Sequence, residues 1–559
     1  MGTLLPTLAA LALYALGYFV YARFLSRRIF DLSPTAITPA HALEDGVDYV
    51  PTQPAVLFGH HFASIAGLGP MLGPAVAVIW GWFPAMIWVV VGSIMIGCVH
   101  DFGALVVSLR DRGLSIGMVA EDIIGPRAKT LFHLVIFFGV ALAMGVFVFI
   151  LGKLFSVQMD ATTPGYPGAA TPSAGLMLIA LGLGYLLYRR NWPLAPLAFI
   201  SFFLSLGLIY LGHVYPTMGL DPEMWPKESV WIYTMLVYGF IASVLPVWVL
   251  LQARDFVNSL LLYLGLGGAY IGLLVLQPDF VAPAIRTTVD GAPSLWPFAF
   301  IVVACGAASG FHGLVSSGTT AKQIDKETDA KPIGYGGMIA ESLLGLIAVI
   351  ACTAGFASPE EWHARYSDWH SVQGLSGNVS AFISGTATFL TALGIPRAFG
   401  ESFLAVVVVS FALTTLDSAT RLLRYNIEEM ADTLGLKFLK NRYLSSLGAV
   451  CTIAVFAFYE IDGKPAALAL WTLFGTTNQL LAGLTLLTIT VYLRQRGKNI
   501  WFTGIPAIVM LVTALVAMTL SLIDFFKHDE TLLVVVGGLL WLIGVAVVVE
   551  GCLAMRRAR

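Results

Sequence analysis

The chain has 559 residues, of which 58% are hydrophobic and only 11% charged, and its formal net charge is −2. Soluble domains carry roughly 25% charged residues, so this composition excludes an ordinary soluble globule. A chain so nearly neutral has no basic face, which excludes a nucleic-acid partner.

Apolar runs of bilayer-crossing length recur along the whole chain. They predict helices at roughly 3–22, 62–80, 83–109, 131–151, 174–190, 195–213, 233–251, 260–277, 296–318, 335–356, 400–417, 443–459, 466–491, 503–523 and 531–555. The first lacks a basic leading region and is followed by Arg23, Arg27 and Arg28. It therefore reads as a retained span rather than a cleaved signal.

The second run is the most informative. Behind the pair His60–His61, an apolar stretch is interrupted by Gly67, Gly69, Pro70, Gly73 and Pro74. Pro and Gly break helices, and in hydrocarbon an unwound backbone survives only buried in protein or lining a polar cavity. A broken helix at membrane depth is a candidate binding site. Next, 83–109 carries His100 and Asp101, and an aspartate in an apolar helix points to function. It could pair with His61, Arg110 or a coupling ion. Together His60, His61 and Asp101 offer a weaker possibility of a metal site, with no standard ligand spacing.

The run 233–251 is interrupted by Gly239, Ser243 and Pro246, which predicts a second broken helix. It runs opposite to 62–80 and starts five spans later, the pattern of an inverted five-plus-five repeat. On this reading 1–59 is a leading helix and linker, 60–425 is the core with an insert at 357–399, and 426–559 holds about four trailing helices. The inner half of 296–318 leads into Ser309–Lys322, which concentrates His312, Ser316, Ser317, Thr319, Thr320 and Lys322. Hydroxyl oxygens suit Na⁺, Lys322 could stand in for a cation, and His312 could carry a proton. Close packing of small residues is the alternative for this stretch. Glu341 opens 335–356, and Asp417 and Arg421 are spaced to pair with each other. The run 377–394 is Ser/Thr/Gly-rich and is read as a re-entrant or outer-surface helix.

All but seven of the 31 lysines and arginines fall on one side of this alternation. The exceptions are Lys153, Lys227, Arg286, Arg365, Arg397, Lys464 and Lys527. The bias predicts an outside N-terminus and a cytoplasmic C-terminus. Cys98, Cys305, Cys352, Cys451 and Cys552 stand singly, which argues against disulfides and zinc ribbons. No P-loop, GxSxG, HExxH or Rossmann spacing occurs, so an enzyme is not expected and no cofactor is implied.

The segments FGHHFASIAGLGPMLGP (58–74), HDF (100–102), SVLPVWVLLQARDF (243–256), SGFHGLVSSGTTAKQIDKETDAKPIGYGGMIAES (309–342), TTLDSATRLLRY (414–425) and WTLFGTTNQLLAG (471–483) resemble the carbon starvation protein A family. The resemblance implies an inner-membrane transporter of the amino acid/polyamine/organocation superfamily with a LeuT-like inverted repeat. It implies uptake of peptides or pyruvate with proton coupling. It also puts 316–320 on the eighth core helix, where sodium-coupled relatives supply hydroxyl ligands.

The expectation is thus an all-α polytopic importer of a small carboxylate-bearing nutrient. Ala66–Gly73 and Ser243–Val247 would present helix N-termini to the anion. Its substrate contacts would be Ala66, Gly67, Gly69, Pro70, Gly73, Ser243, Pro246 and His312. Its proton groups would be His61, Asp101 and His312, with Ser316, Ser317, Thr319 and Thr320 as the sodium alternative. A channel or a nutrient sensor is the competing class.

Overall fold

A computed structural model describes residues 1–161, 163–461 and 464–557. Arg559, the last of the basic C-terminal cluster, lies outside them, and the side chain of Lys464 is likewise not described.

Each predicted apolar run contains helix, and among the described residues ten helices are long and apolar enough to cross a membrane, or eleven with the bent pair at 54–80. In chain order the elements are α1 (Leu4–Ile29), α2 (Pro54–Ile65), α3 (Gly69–Trp80), α4 (Trp82–Arg110), α5 (Pro126–Phe155), α6 (Pro167–Arg189) and α7 (Leu194–Val214). Then come α8 (Glu228–Val244), α9 (Leu251–Leu276), α10 (Leu295–Val302), α11 (Gly310–Gly318) and α12 (Glu327–Ala354). The chain closes with α13 (Leu375–Thr391), α14 (Arg397–Leu434), α15 (Arg442–Phe458), α16 (Trp471–Gln495), α17 (Trp501–Lys527) and α18 (Thr531–Arg557).

The first predicted break is present. Helices α2 and α3 meet at a 45° bend, with Leu68 before α3 and Pro70 in its first turn, where a missing N–H costs nothing. The second lies elsewhere than predicted. Ser243 lies in the last turn of α8, which ends at Val244, and the run 233–251 is not one span but a helix, a turn and the start of α9. The cause is local: Pro246 holds Leu245 extended (φ −73°, ψ 149°). The turn then docks outside the helices, where Val47 O accepts from Val247 N–H at 3.0 Å and Gly46 O from the Trp248 indole at 3.1 Å.

The partner of the first break is 303–309, between α10 and α11. Val303 leaves helical geometry (φ −91°, ψ 46°), and Gly306 sits at φ +92°, a conformation glycine adopts without steric cost. The two breaks touch. A Cβ on Gly69 would lie 2.3 Å from Cys305 Cβ, and one on Gly73 would lie 2.5 Å from Val302 O. Glycine at both positions is what permits the crossing.

Helices α5 and α14 pack against each other, α9 lies along α2, and α16 packs on α11. Two ends of the molecule are distinct. Met1, Trp80, 277–293 and 355–374 gather at one; Met1 O accepts from Phe280 N–H and Tyr366 O from Arg286. Asp48, Arg110, 245–250, Lys322 and Arg421 gather at the other. Helix α13 has both its ends at the Met1 end. Arg365 donates to Gly377 O near its start, and Arg397 and Gly355 meet Ser384 and Thr388 near its finish. Its small residues are what let it lie so close, because a Cβ on Gly385 would be 2.3 Å from Ala351 O.

Exposed positions flanking α13 should therefore share one side of the membrane. Single cysteines at Gln373 and Leu393, both exposed, should react with a membrane-impermeant maleimide added from the same side. Reaction from opposite sides would make α13 a crossing helix.

Candidate functional site

The crossing of the two breaks brings the intramembrane charges together. Helix α4 runs through a π-helical stretch at Trp88–Gly97 before it delivers His100 and Asp101. The wider turn frees carbonyls for partners: Val89 O accepts from Ser342 Oγ at 2.8 Å, and Ile94 O accepts from Tyr335 Oη at 3.1 Å. Both bonds tie α4 to the chain of α12.

Asp101 is held between two imidazoles. His100 Nδ1 is 2.7 Å from its Oδ1 and His312 Nδ1 is 3.0 Å from its Oδ2. The other ring nitrogen of His312 is 3.3 Å from Glu341 Oε2 on α12. All four side chains are fully buried. An isolated ion in such a place would cost several kcal/mol, so ionised partners must compensate one another. Imidazole is suited to this position because it offers a nitrogen to each carboxylate and changes charge near neutral pH. The row Asp101–His312–Glu341 thus links α4, α11 and α12 through one proton-accepting ring.

His61 lies one step away, with Nδ1 2.9 Å from Thr320 Oγ1 and its ring against Gly337 of α12. His60, its neighbour on α2, faces the opposite way, with Nδ1 2.6 Å from Asp255 Oδ2. The metal possibility for His60, His61 and Asp101 is therefore corrected: successive residues on a helix diverge, and each finds its own partner. Among the described residues no group of three or more His, Cys, Asp or Glu is arranged to hold a metal ion.

The hydroxyls of 316–320 do not converge either. Ser317 Oγ donates to Gly313 O at 2.6 Å and accepts from Ile116 N–H at 3.0 Å. Thr319 Oγ1 donates back to Val315 O at 2.9 Å, Thr320 faces His61, and Ser316 Oγ is buried without a hydrogen-bond partner. Of the proposed substrate contacts, Gly69, Pro70 and Gly73 lie against 302–306, and Gly67 faces Thr415 of α14 and Phe147 of α5. Ala66 is buried at the end of α2. Ser243 and Pro246 are not with them: Ser243 Oγ is 3.0 Å from Ser446 Oγ, and Pro246 lies in the α8–α9 turn.

Charge pairs read from spacing are also redistributed. Asp417 pairs with Arg254 rather than with Arg421, and Arg421 Nη1 reaches Asp48 at 2.7 Å. Arg254 is a buried member of α9, not a loop residue. Among the described residues Lys322 has no carboxylate within salt-bridge reach, and it rests on the rings of Tyr425 and Tyr49, 4.0 and 5.3 Å from their centroids. Burial lowers its pKa against the opposing pull of Asp48 and Glu429. Beside it is a cavity of about 20 Å³, room for about one water, lined by Ser115, Gly318, Tyr425, Asn426 and Glu429. Asp48, Glu341, Arg254 and Asp255 are the participants whose roles sequence spacing missed. Their only signal was charge placed beside or within apolar runs.

The carbon starvation protein CstA family model matches residues 2–363 and 358–517, and the chain belongs to that family. A peptide transporter CstA of Campylobacter jejuni is 33% identical, over 91% of this chain and 78% of its own. The pyruvate/proton symporter BtsT of Escherichia coli is 31% identical, over 92% of this chain and 81% of its own. A solved manganese transporter of Eremococcus coleocola aligns with 92% of this chain and 99% of its own at 12% identity and a TM-score of 0.42, too loose a likeness to carry an argument.

Asp48 supplies a pH test of the linker's grip. Burial would raise its pKa, but Arg421, Arg424 and Lys322 outweigh burial and hold it at about 2. A folded value below the unfolded one, about 3.9, means the contribution is present above pH 4 and is lost as pH falls toward 2. Asp48→Asn should therefore cost about 2 kcal/mol at pH 7. Thermal unfolding in detergent should show the gap to the wild type narrowing below about pH 4.

Proposed function

We propose that this member of the family is a secondary active importer of small carboxylate-bearing nutrients, peptides or pyruvate, driven by proton symport. The observation that carries the reading is the fully buried row Asp101–His312–Glu341, which ties three helices at the crossing of two broken ones. Supporting it are relatives named for peptide transport and for pyruvate/proton symport.

The membrane arrangement follows the same reading. The N-terminus lies outside and the C-terminus in the cytoplasm of the cell membrane, so the Asp48 end is cytoplasmic. The inverted five-plus-five arrangement pairs 54–80 with 295–318, in place of 233–251. The repeats are then α2–α3, α4, α5, α8 and α9 against α10–α11, α12, α14, α15 and α16. Helices α6 and α7 form an inserted hairpin, and α1, α17 and α18 lie outside the repeats. Opposed breaks and the packing of α5 on α14 support this pairing.

In the cycle, the substrate carboxylate sits at the glycine-rich breaks, where the N-termini of α3 and α11 offer positive dipole ends. A proton enters the Asp101–His312–Glu341 row as the site loads. Neutralising one carboxylate there loosens the tie between α4, α11 and α12, and the inner half-helix α2 tilts about Ala66–Leu68 to open the cytoplasmic side. Proton loss inside restores the ion pairs. The sodium alternative is weakened by the diverging hydroxyls of 316–320.

Uptake of labelled pyruvate, and separately of a labelled dipeptide, into proteoliposomes should be driven by an inward proton gradient and be indifferent to sodium. Asp101→Asn should abolish accumulation while leaving counterflow exchange. Uphill uptake at wild-type levels in that variant would remove Asp101 from coupling.

A further inference from the structure

The reading above uses one face of α2. The other face enters a second buried cluster that it leaves unexplained. His60 Nδ1 is 2.6 Å from Asp255 Oδ2. Asp255 Oδ1 lies 3.8 Å from Arg254 Nε, and Arg254 Nη1 pairs with Asp417 on α14 at 2.5 Å. These four side chains are at most 2% exposed.

Their charges do not balance. Two carboxylates face one guanidinium, so a neutral His60 leaves a net negative charge in a dry interior. Among the described residues no other cation is ion-paired with these carboxylates. From α2 the cluster meets Ser64, whose Oγ lies 3.5 Å from Asp255 Oδ2 and 2.7 Å from Ser418 Oγ of α14. From α8 it meets Tyr238, which donates to Asp417 at 2.6 Å. Helix α9 also buries Gln252, Asn258 and Ser259, and Arg421, one turn along α14, is engaged by Asp48. Asp255 Oδ1, Asp417 Oδ1 and His60 Nε2 have no hydrogen-bond partner. A buried carboxylate beside an imidazole at 2.6 Å, in a cluster with more carboxylates than guanidinium groups, is placed to bind a proton.

We propose that His60, Asp255 and Asp417, arranged around Arg254, form a second proton-binding site that loads and empties together with Asp101–His312–Glu341, so that two protons accompany each substrate molecule. This rests on the symport reading and adds its stoichiometry. The step is simple addition: one H⁺ joins the His60–Asp255 pair, the cluster becomes neutral, and the same H⁺ leaves on the cytoplasmic side with no other bond formed or broken.

Geometry links the two sites. His60 and His61 are consecutive on the short rigid helix α2, one gripping α9 and the other Thr320 beyond α11. A tilt of α2 about the 66–68 break parts both contacts in the same movement. The same tilt draws the His61 ring off Gly337, one turn before Glu341 on α12, so the movement that opens the His60–Asp255 pair also reaches the helix that carries Glu341.

The test is the point at which net flux reverses, in proteoliposomes with the membrane voltage clamped at zero, using labelled pyruvate and labelled dialanine as probes. A tenfold proton gradient then balances about a 100-fold substrate gradient for two protons and about tenfold for one. The wild type is expected at about 100-fold and Asp255→Asn at about tenfold, with His60→Gln as the second variant if the first does not fold. A wild-type value of tenfold, or an unchanged value in a folded variant, overturns the second site and leaves symport standing. A reversal point that moves with the sodium gradient at fixed pH overturns it in favour of a sodium ion at Asp255. No proton-driven accumulation of either probe by the wild type overturns the symport reading itself, and the second site with it.

Discussion

The whole arrangement depends on two broken helices passing at backbone contact. Residues 66–70 and 302–306 approach so closely that no side chain fits at Gly69 or Gly73. In hydrocarbon an unwound backbone must be enclosed by protein, and here each break is enclosed by the other. The contact fixes where α4, α11 and α12 stand, and hence where Asp101, His312 and Glu341 meet. The indole of Trp88 and the amide of Gln479 both donate to Phe300 O just before the second break, at 3.2 and 2.6 Å, and Asn478 accepts from Phe311 N–H just after it. Asn478 and Gln479 of α16 thus brace the second break from both sides.

Buried ions make this core conditional. Each ionised group at depth is tolerable because a partner stands at hydrogen-bond distance, and removing one partner of such a pair costs about 3–5 kcal/mol. The same arithmetic makes the clusters sensitive to protons. A single proton added to a row of two carboxylates and an imidazole changes which contacts are worth keeping. A protein built on well-packed apolar helices alone would be more indifferent to pH and harder to move.

Much of this was legible in the residues. The apolar runs gave the helices because their period and length are physically constrained, and the interruption at Gly67–Pro74 was visible because proline and glycine act locally. The poor apolarity of 377–394 set it apart from the other runs, and α13 there meets the Met1 end near both its start and its finish. The second break was misplaced for a good reason. Pro246 is a strong local signal and lies in a turn, whereas the break at 303–309, in VACGAAS, contains no proline and is marked by Gly306 alone. Pairings failed for another reason: Asp417 and Arg421 satisfy the helical spacing rule, yet each is closer to a charge from elsewhere, Arg254 of α9 and Asp48 of the linker. Spacing sees one helix at a time, and a buried charge answers to all its neighbours.

The linker completes the argument. Residues 45–52 lie across the end opposite Met1, where Val47 O and Gly46 O hold the α8–α9 turn, Val50 and Thr52 bond to Lys322 O and Gln323 O, and Asp48 holds Arg421. Its chain runs directly into Pro54, the start of α2. A tilt of α2 that separates His60 from Asp255 therefore also pulls on the strap that joins α9, α11 and α14. Moving α2 disturbs the buried His60–Asp255 pair and the Asp48–Arg421 pair together, and each pair given up leaves a charge without its partner at low dielectric.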